Sequence, residues 1–164
     1  MNNNKLVLSK YEEQDFESYY SIVQQDAVMQ YISGKGLSIE QARAKFHAIL
    51  EQGVAEEPLG YFKVNNEAAD FIGDCKLVYY KHDPSLLEIG YILKPEYWGK
   101  GLGTMICQEM LALADQVAPS KDIIGLIDTG NKASKKLLEK FGFTICFLGM
   151  EDGLPTEKLL LKKS

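Results

Sequence analysis

Residues 87–117 pass through a strand-like run, a turn dense in glycine and an amphipathic helix, with almost nothing between them. The run Glu88-Ile89-Gly90-Tyr91-Ile92-Leu93 is ended by Pro95, and Trp98-Gly99-Lys100-Gly101-Leu102-Gly103-Thr104 follows. Leu102, Ile106, Met110, Leu113 and Val117 then recur three or four residues apart, the spacing of one helix face over 101–117. A helix is therefore expected to start directly off the end of a sheet strand. Such a start exposes unpartnered backbone N–H groups and a partial positive charge, so an anion is its natural occupant.

The remaining pattern supplies a sheet for that strand. Leu6, Val7 and Leu8 suggest a short first strand, and residues 12–31 carry Phe16, Tyr19, Tyr20, Val23 and Val28 near helical spacing. After the turn Ser33-Gly34-Lys35-Gly36, Ser38 followed three residues later by Gln41 is a capping-box signature. The helix it opens would bury Ala42, Phe46, Ile49 and Leu50 and stop at Gly53. Residues 60–64, 71–80 and 87–93 then read as a three-stranded meander, with turns at Asn65-Asn66-Glu67 and His82-Asp83-Pro84-Ser85. A buried strand at 123–127, a helix at 131–141 and strands at 143–148 and 159–161 close the chain. In that second late helix Ala133, Leu137, Leu138 and Phe141 would face inward and Lys132, Lys135, Lys136 and Lys140 outward.

This order predicts an α/β (α+β) fold: a mixed, mostly antiparallel sheet of six to seven strands with about four helices on both faces. With 164 residues the chain has room for one domain, taken as 1–164. The longest apolar run, Met110 to Ala114, is far short of the roughly 20 residues a membrane span needs. No secretory signal is visible at the N-terminus, so a cytoplasmic location is expected and no membrane partner. The net charge of -5, without a long basic run, speaks against nucleic acid as a partner. Cys75, Cys107 and Cys146 lie 32 and 39 residues apart, too far for short zinc-ligand spacing, and read as three small buried thiols. With His47 and His82 the only histidines, no metal site is expected.

Two familiar phosphate loops fail on spacing. A dinucleotide fingerprint G-x-G-x-x-G needs glycine where Thr104 or Ile106 stands. A Walker loop needs Ser or Thr after Gly99-Lys100 and glycine at 94, where there are Gly101 and Lys94.

What the residues do resemble is the GNAT N-acetyltransferase family. Gly101-Leu102-Gly103, after a strand and opening a helix, matches the family's acetyl-CoA signature [Arg/Gln]-x-x-G-x-[Gly/Ala]. Asn131-Lys132-Ala133-Ser134 followed by Phe141-Gly142-Phe143 looks like its second element. Together with Glu88-Ile89-Gly90-Tyr91 and Trp98-Gly99-Lys100-Gly101, the pattern is most similar to the RimJ/RimL-like branch, and the order of elements fits over 6–161.

The resemblance implies an acetyl-CoA-dependent transferase that moves acetyl to a primary amine by direct attack in a ternary complex. The amine would belong to a protein N-terminus or a small molecule. Acetyl-CoA would lie between the strands 87–93 and 123–127, with the backbone of Tyr91, Ile92 and Leu93 aligning the pantetheine and polarising the thioester. Amides from the loop Trp98, Gly99, Lys100, Gly101, Leu102, Gly103 and Thr104 would take the diphosphate, and Asn131 and Ser134 would flank the chain of the coenzyme. The lysines of residues 131–140 suit its remaining phosphate, and equally a solvated helix face.

An amine of pKa about 8 to 10.4 must lose a proton before it attacks. Glu88 is the carboxylate best placed by sequence to receive it, unless it is an edge glutamate paired with lysine. Ser134 is the donor candidate for the departing thiolate, or an ordinary first-turn serine; Asn131 holds pantetheine or caps its helix.

Two positions depart from the family pattern. Trp98 stands where the signature has Arg or Gln, and Leu138 where many members have a tyrosine acid. Leu138 in place of tyrosine and the two readings of Glu88 keep open a catalytically silent acyl-CoA-binding module, and the glycine loop a nucleotide-binding regulator. The acceptor mouth would be shaped by the early helices around Gly34-Lys35-Gly36 and by Glu151-Asp152-Gly153. A homodimer, the commonest closed assembly, is the partner expectation besides the amine.

Overall fold

The computed structural model describes residues 5–163. Seven strands form one sheet: β1 (Val7–Lys10), β2 (Gly60–Asn65), β3 (Phe71–Tyr79), β4 (Leu87–Leu93), β5 (Ile123–Asp128), β6 (Thr144–Glu151) and β7 (Leu154–Leu161). Their spatial order is β1-β2-β3-β4-β5-β7-β6. Every neighbouring pair is antiparallel except β4 with β5. The helices are α1 (Phe16–Val23), α2 (Asp26–Met29), α3 (Ile39–Ala55), α4 (Leu102–Val117) and α5 (Lys132–Lys140), with short 3-10 turns at Glu13–Asp15 and Pro95–Tyr97.

Successive residues of a strand point to opposite faces, so β3 and β4 divide the protein into two cores. Cys75, Leu77, Ile89 and Leu93 join Leu102, Ile106 and Met110 of α4 in the larger one. On the other face Tyr11, Tyr19, Ile22, Phe46 and Ile49 gather beneath α1 and α3, and Ile92 and Tyr61 reach them from the sheet. Tyr11 meets two of the rings there edge-on, 5.6 Å from Tyr19 and 5.4 Å from Phe46.

Several boundaries move from the expected ones. The stretch 12–31 is a 3-10 turn, α1 and the single turn α2 instead of one helix, the backbone turning extended at Gln25. The capping box forms: Ser38 accepts from the Gln41 amide and Gln41 from that of Ser38. Gly53 does not stop α3, which continues to Ala55; the entropic cost of one helical glycine is only about 1 kcal/mol. In α5 only Leu138 is buried, and Ala133 is exposed. Cys146 is exposed rather than buried, since β6 is the outer edge strand, while Cys75 and Cys107 are buried. Among the described residues no helix is long and apolar enough to cross a membrane.

Ile123 is fully buried and is the first β5 residue paired with β4. Ile123→Ala is expected to cost about 2–5 kcal/mol, measured by urea unfolding.

Candidate active site

The parallel pair β4–β5 is short. Leu87, Glu88 and Ile89 face Ile123, Ile124 and Gly125, and there the pairing ends although both strands continue. The strands part, β5 staying with β7 through Asp128. Gly90 to Leu93 thus keep β3 on one side and face an opening on the other. Leu138 of α5 sits at the fork: a side chain at Gly125 would come 2.8 Å from its Cδ1.

The glycine loop lies at the mouth of that opening. Gly101 caps α4 with φ at +78° and Gly99 sits at +72°, backbone that side chains disfavour, and space is open beside both. No side chain caps the 16-residue α4, so its first amides remain bare. The Trp98 indole donates to the Leu93 carbonyl at 2.9 Å, tying the loop back to the strand. Trp98 thereby acts on loop shape, and the Leu93 carbonyl already has a partner. Gly103 answers a different need. A Cβ there would lie 2.9 Å from the Tyr91 hydroxyl oxygen and 3.1 Å from Leu137 Cδ1, so its bare backbone lets the helix approach the sheet.

Tyr91 is more than a backbone contributor. Its hydroxyl reaches across to α4 with Ser134 of α5 beside it, and burial raises its pKa. Asn131 caps α5, accepting from the Ser134 amide at 3.2 Å, so the capping role expected of it is filled. Cys107 stands nearby with its thiol pushed up to about 12 by burial, too high for a nucleophile at neutral pH.

One cavity of about 1070 Å³ joins these parts and passes through to the α1–α3 face. Glu88, Tyr91, Ile92, Leu93, Trp98, Gly99, Gly101, Leu102, Gly103, Thr104, Asn131 and Ser134 all line it. Lys100 does not, its ammonium lying 5.7 Å over the Tyr97 ring. The segment before Gly34, Ala27 to Ile32, lines it in place of Gly34-Lys35-Gly36, while Glu151 and Asp152 do as expected. Lys135 is spent on Glu157 at 3.1 Å, which leaves less of the α5 lysine charge for a phosphate.

Glu88 forms a 2.7 Å ion pair with Lys76 across the β3–β4 ladder. Burial acts to lower the Lys76 ammonium, but Tyr61 and Glu88 beside it hold it above its usual pKa. The carboxylate that sequence reasoning missed is Asp74, 5% exposed in the middle of β3. It accepts from the Tyr11 hydroxyl at 2.7 Å and lines the cavity. Burial raises its pKa to about 7, although the Tyr11 bond and the Lys76 charge work to lower it. The available signal was an acid between glycine and cysteine inside a strand whose only other charged residue is Lys76.

A family model for the acetyltransferase (GNAT) domain matches residues 5–144. The chain belongs to the GNAT acetyltransferase family. It is 23% identical over 144 residues to an uncharacterized N-acetyltransferase of Bacillus subtilis, YoaA, covering 87% of this chain and 81% of that one. Its fold matches the GNAT-family acetyltransferase of Bacillus anthracis with a TM-score of 0.76 at 19% identity, over 97% of this chain and 95% of the other. It matches spermidine N-acetyltransferase of Vibrio cholerae, solved with CoA and spermine, with a TM-score of 0.79 at 16% identity, over 96% and 95%. At these identities the structural likenesses establish the shared fold, with its mixed sheet and flanking helices.

Two outcomes test this geometry of the GNAT site. Gly103→Ala is expected to destabilise by about 1–3 kcal/mol through the clash with Tyr91 and Leu137, measured by thermal unfolding. Asp74 stays protonated in the fold up to about 7, whereas the unfolded chain ionises it near the ordinary carboxylate value. The native state then binds more protons, so its contribution is full below about pH 4 and declines as pH rises to 7. Asp74→Asn is expected to flatten that decline, worth on the order of a few kcal/mol, as read from urea midpoints between pH 4 and 8.

Proposed function

We propose that this chain, as one acetyltransferase domain over 1–164, transfers acetyl from acetyl-CoA to a primary amine by direct attack in a ternary complex. The observation that carries this reading is the fork between β4 and β5, opening onto an α4 start whose amides no side chain caps. A strand edge facing an opening offers groups to an amide-bearing pantetheine chain, and bare amides at a helix start suit a diphosphate.

Roles follow from position. The backbone of Tyr91 and Ile92 orients the thioester, while amides of Gly99 and of Gly101 to Thr104 hold the diphosphate at the loop that Trp98 keeps in shape. Acetyl-CoA supplies an activated acyl group and a thiolate leaving group. That thiolate, of pKa about 8.5, needs one donor, and we assign that part to Ser134 with Tyr91 beside it. This pair takes the part that a tyrosine at 138 plays in many relatives, since Leu138 is buried at the fork. The RimJ/RimL-like assignment rests on the motifs at 88–91, 98–101 and 131–143. Oligomeric state is proposed as dimeric, and location as cytoplasmic.

The cavity wall bears Asp74, Glu88, Glu151 and Asp152 together with Lys76 and Lys81, so the acceptor meets both signs of charge. The test is thiol release from acetyl-CoA against a panel of peptide N-termini, amino acids, polyamines and aminoglycosides. Turnover with at least one amine is expected, together with a melting-temperature rise given by acetyl-CoA and absent with ATP or NAD. Tight acetyl-CoA binding with no amine turned over would instead support a silent acyl-CoA-binding module. A shift given by ATP or NAD alone would defeat the assignment of the ligand. Gly101→Asp is expected to abolish acetyl-CoA binding by calorimetry, because it sets a negative charge beside the bare amides and strains a left-handed backbone.

A further inference from the structure

We propose that Asp74, rather than Glu88, takes the proton from the acceptor amine, with Tyr11 holding its carboxylate for that task. This rests on the acetyl-transfer reading above, and position along the sheet carries it.

Ile92, whose backbone faces the fork, is directly opposite Asp74 in the β3–β4 register. Opposed residues of an antiparallel pair carry their side chains on the same face, with Cβ atoms about 4.5–5.5 Å apart. Glu88 lies four residues back along the same strand, about 13 Å from Ile92 at about 3.3 Å per residue. Glu88 also has a partner, because Lys76 holds it at 2.7 Å. An amine placed to attack a thioester at Ile92 therefore has Asp74 as its near carboxylate. A proton held by Glu88 would need relays along the strand.

The surroundings of Asp74 suit a proton acceptor. Tyr11 donates to Oδ2 at 2.7 Å, which fixes the carboxyl and favours its charged form. The groups facing it are Tyr11 after β1, Tyr19 of α1, Tyr61 of β2 and Lys76 of β3, with Cys75 adjacent in the chain. Lys63 stands opposite it in β2 but is taken by Asp15 at 2.9 Å, and Lys45 of α3 faces Lys76. Tyr19, Tyr61 and the cysteine are raised and stay neutral, leaving Lys76 as the balancing charge. With its pKa near 7, the carboxylate is present at neutral pH and basic enough to accept a proton.

In the step, one ammonium N–H bond breaks and its proton forms an O–H bond at Asp74. The freed nitrogen pair makes the C–N bond to the acetyl carbon. The C–S electron pair leaves on sulfur, which takes the second nitrogen proton by way of Ser134 and Tyr91. Asp74 then returns its proton to water through the cavity.

The experiment compares pH profiles of kcat/KM for the best amine of the panel in wild-type protein, Asp74→Asn, Glu88→Gln and Tyr11→Phe. Wild type is expected to show a limb near pH 7. Asp74→Asn should lose that limb and about 100-fold or more in kcat, while its acetyl-CoA Kd stays within about twofold. Glu88→Gln should keep the limb. Tyr11→Phe removes a hydrogen bond to the charged form, so the limb should move to higher pH, a shift that a merely structural role would not produce. If Asp74→Asn does not fold, the Tyr11→Phe shift decides. An unchanged limb in Asp74→Asn or in Tyr11→Phe, or its loss in Glu88→Gln, overturns the proposal while turnover itself leaves the acetyl-transfer reading standing. Acetyl-CoA binding without turnover of any amine defeats that reading first and this proposal with it.

Discussion

The structure depends on a failure of two strands to stay together. β4 and β5 share only three residue pairs, and beyond Ile89 and Gly125 their backbone groups no longer satisfy one another. Main-chain donors and acceptors left so must find another partner or water. The divergence is maintained from both sides: β4 continues against β3 to Leu93, β5 continues against β7 to Asp128, and Leu138 occupies the fork above Gly125. Everything proposed for this protein is arranged around that gap.

A second constraint is the alternation of strands. Within β4, Glu88, Gly90 and Ile92 turn to the α1–α3 face, and Ile89, Tyr91 and Leu93 to the α4 face, so one strand contributes to two chemistries. On the α4 side Tyr91 meets Gly103 and Ser134, at the end where a leaving group would be protonated. On the other side the Tyr11–Asp74 bond and the Lys76–Glu88 pair lie in a wall of tyrosines, where a proton would be removed.

Much of this was legible in the chain. The capping box at Ser38, the extent of β4 and the helix opening at Gly101 were readable because each depends on contacts within a few residues. Gly99 and Gly101 could be singled out for the same reason, as could the parting strands, through the family resemblance. The expected stop at Gly53 did not occur, since the helix continues to Ala55 across a weak local signal. Cys146 looked like any other small thiol; its exposure follows from β6 being the sheet edge, which is a property of strand order.

Sequence by itself determined the fold class and the glycine turn, because periodicity, capping and φ preference are local and survive without neighbours, and its motifs carried the family resemblance. Tertiary structure alone decided which acid stands against the stretch of β4 that β5 has left. Glu88 and Asp74 are both single carboxylates in strands, and nothing nearby in the chain ranks them. The β3–β4 register sets Asp74 across from Ile92 and Glu88 beside Lys76, and the packing of Tyr11 from a distant segment buries the first of these. Desolvation and pairing are properties of what surrounds a charge, and those surroundings exist only once the strands have found their partners.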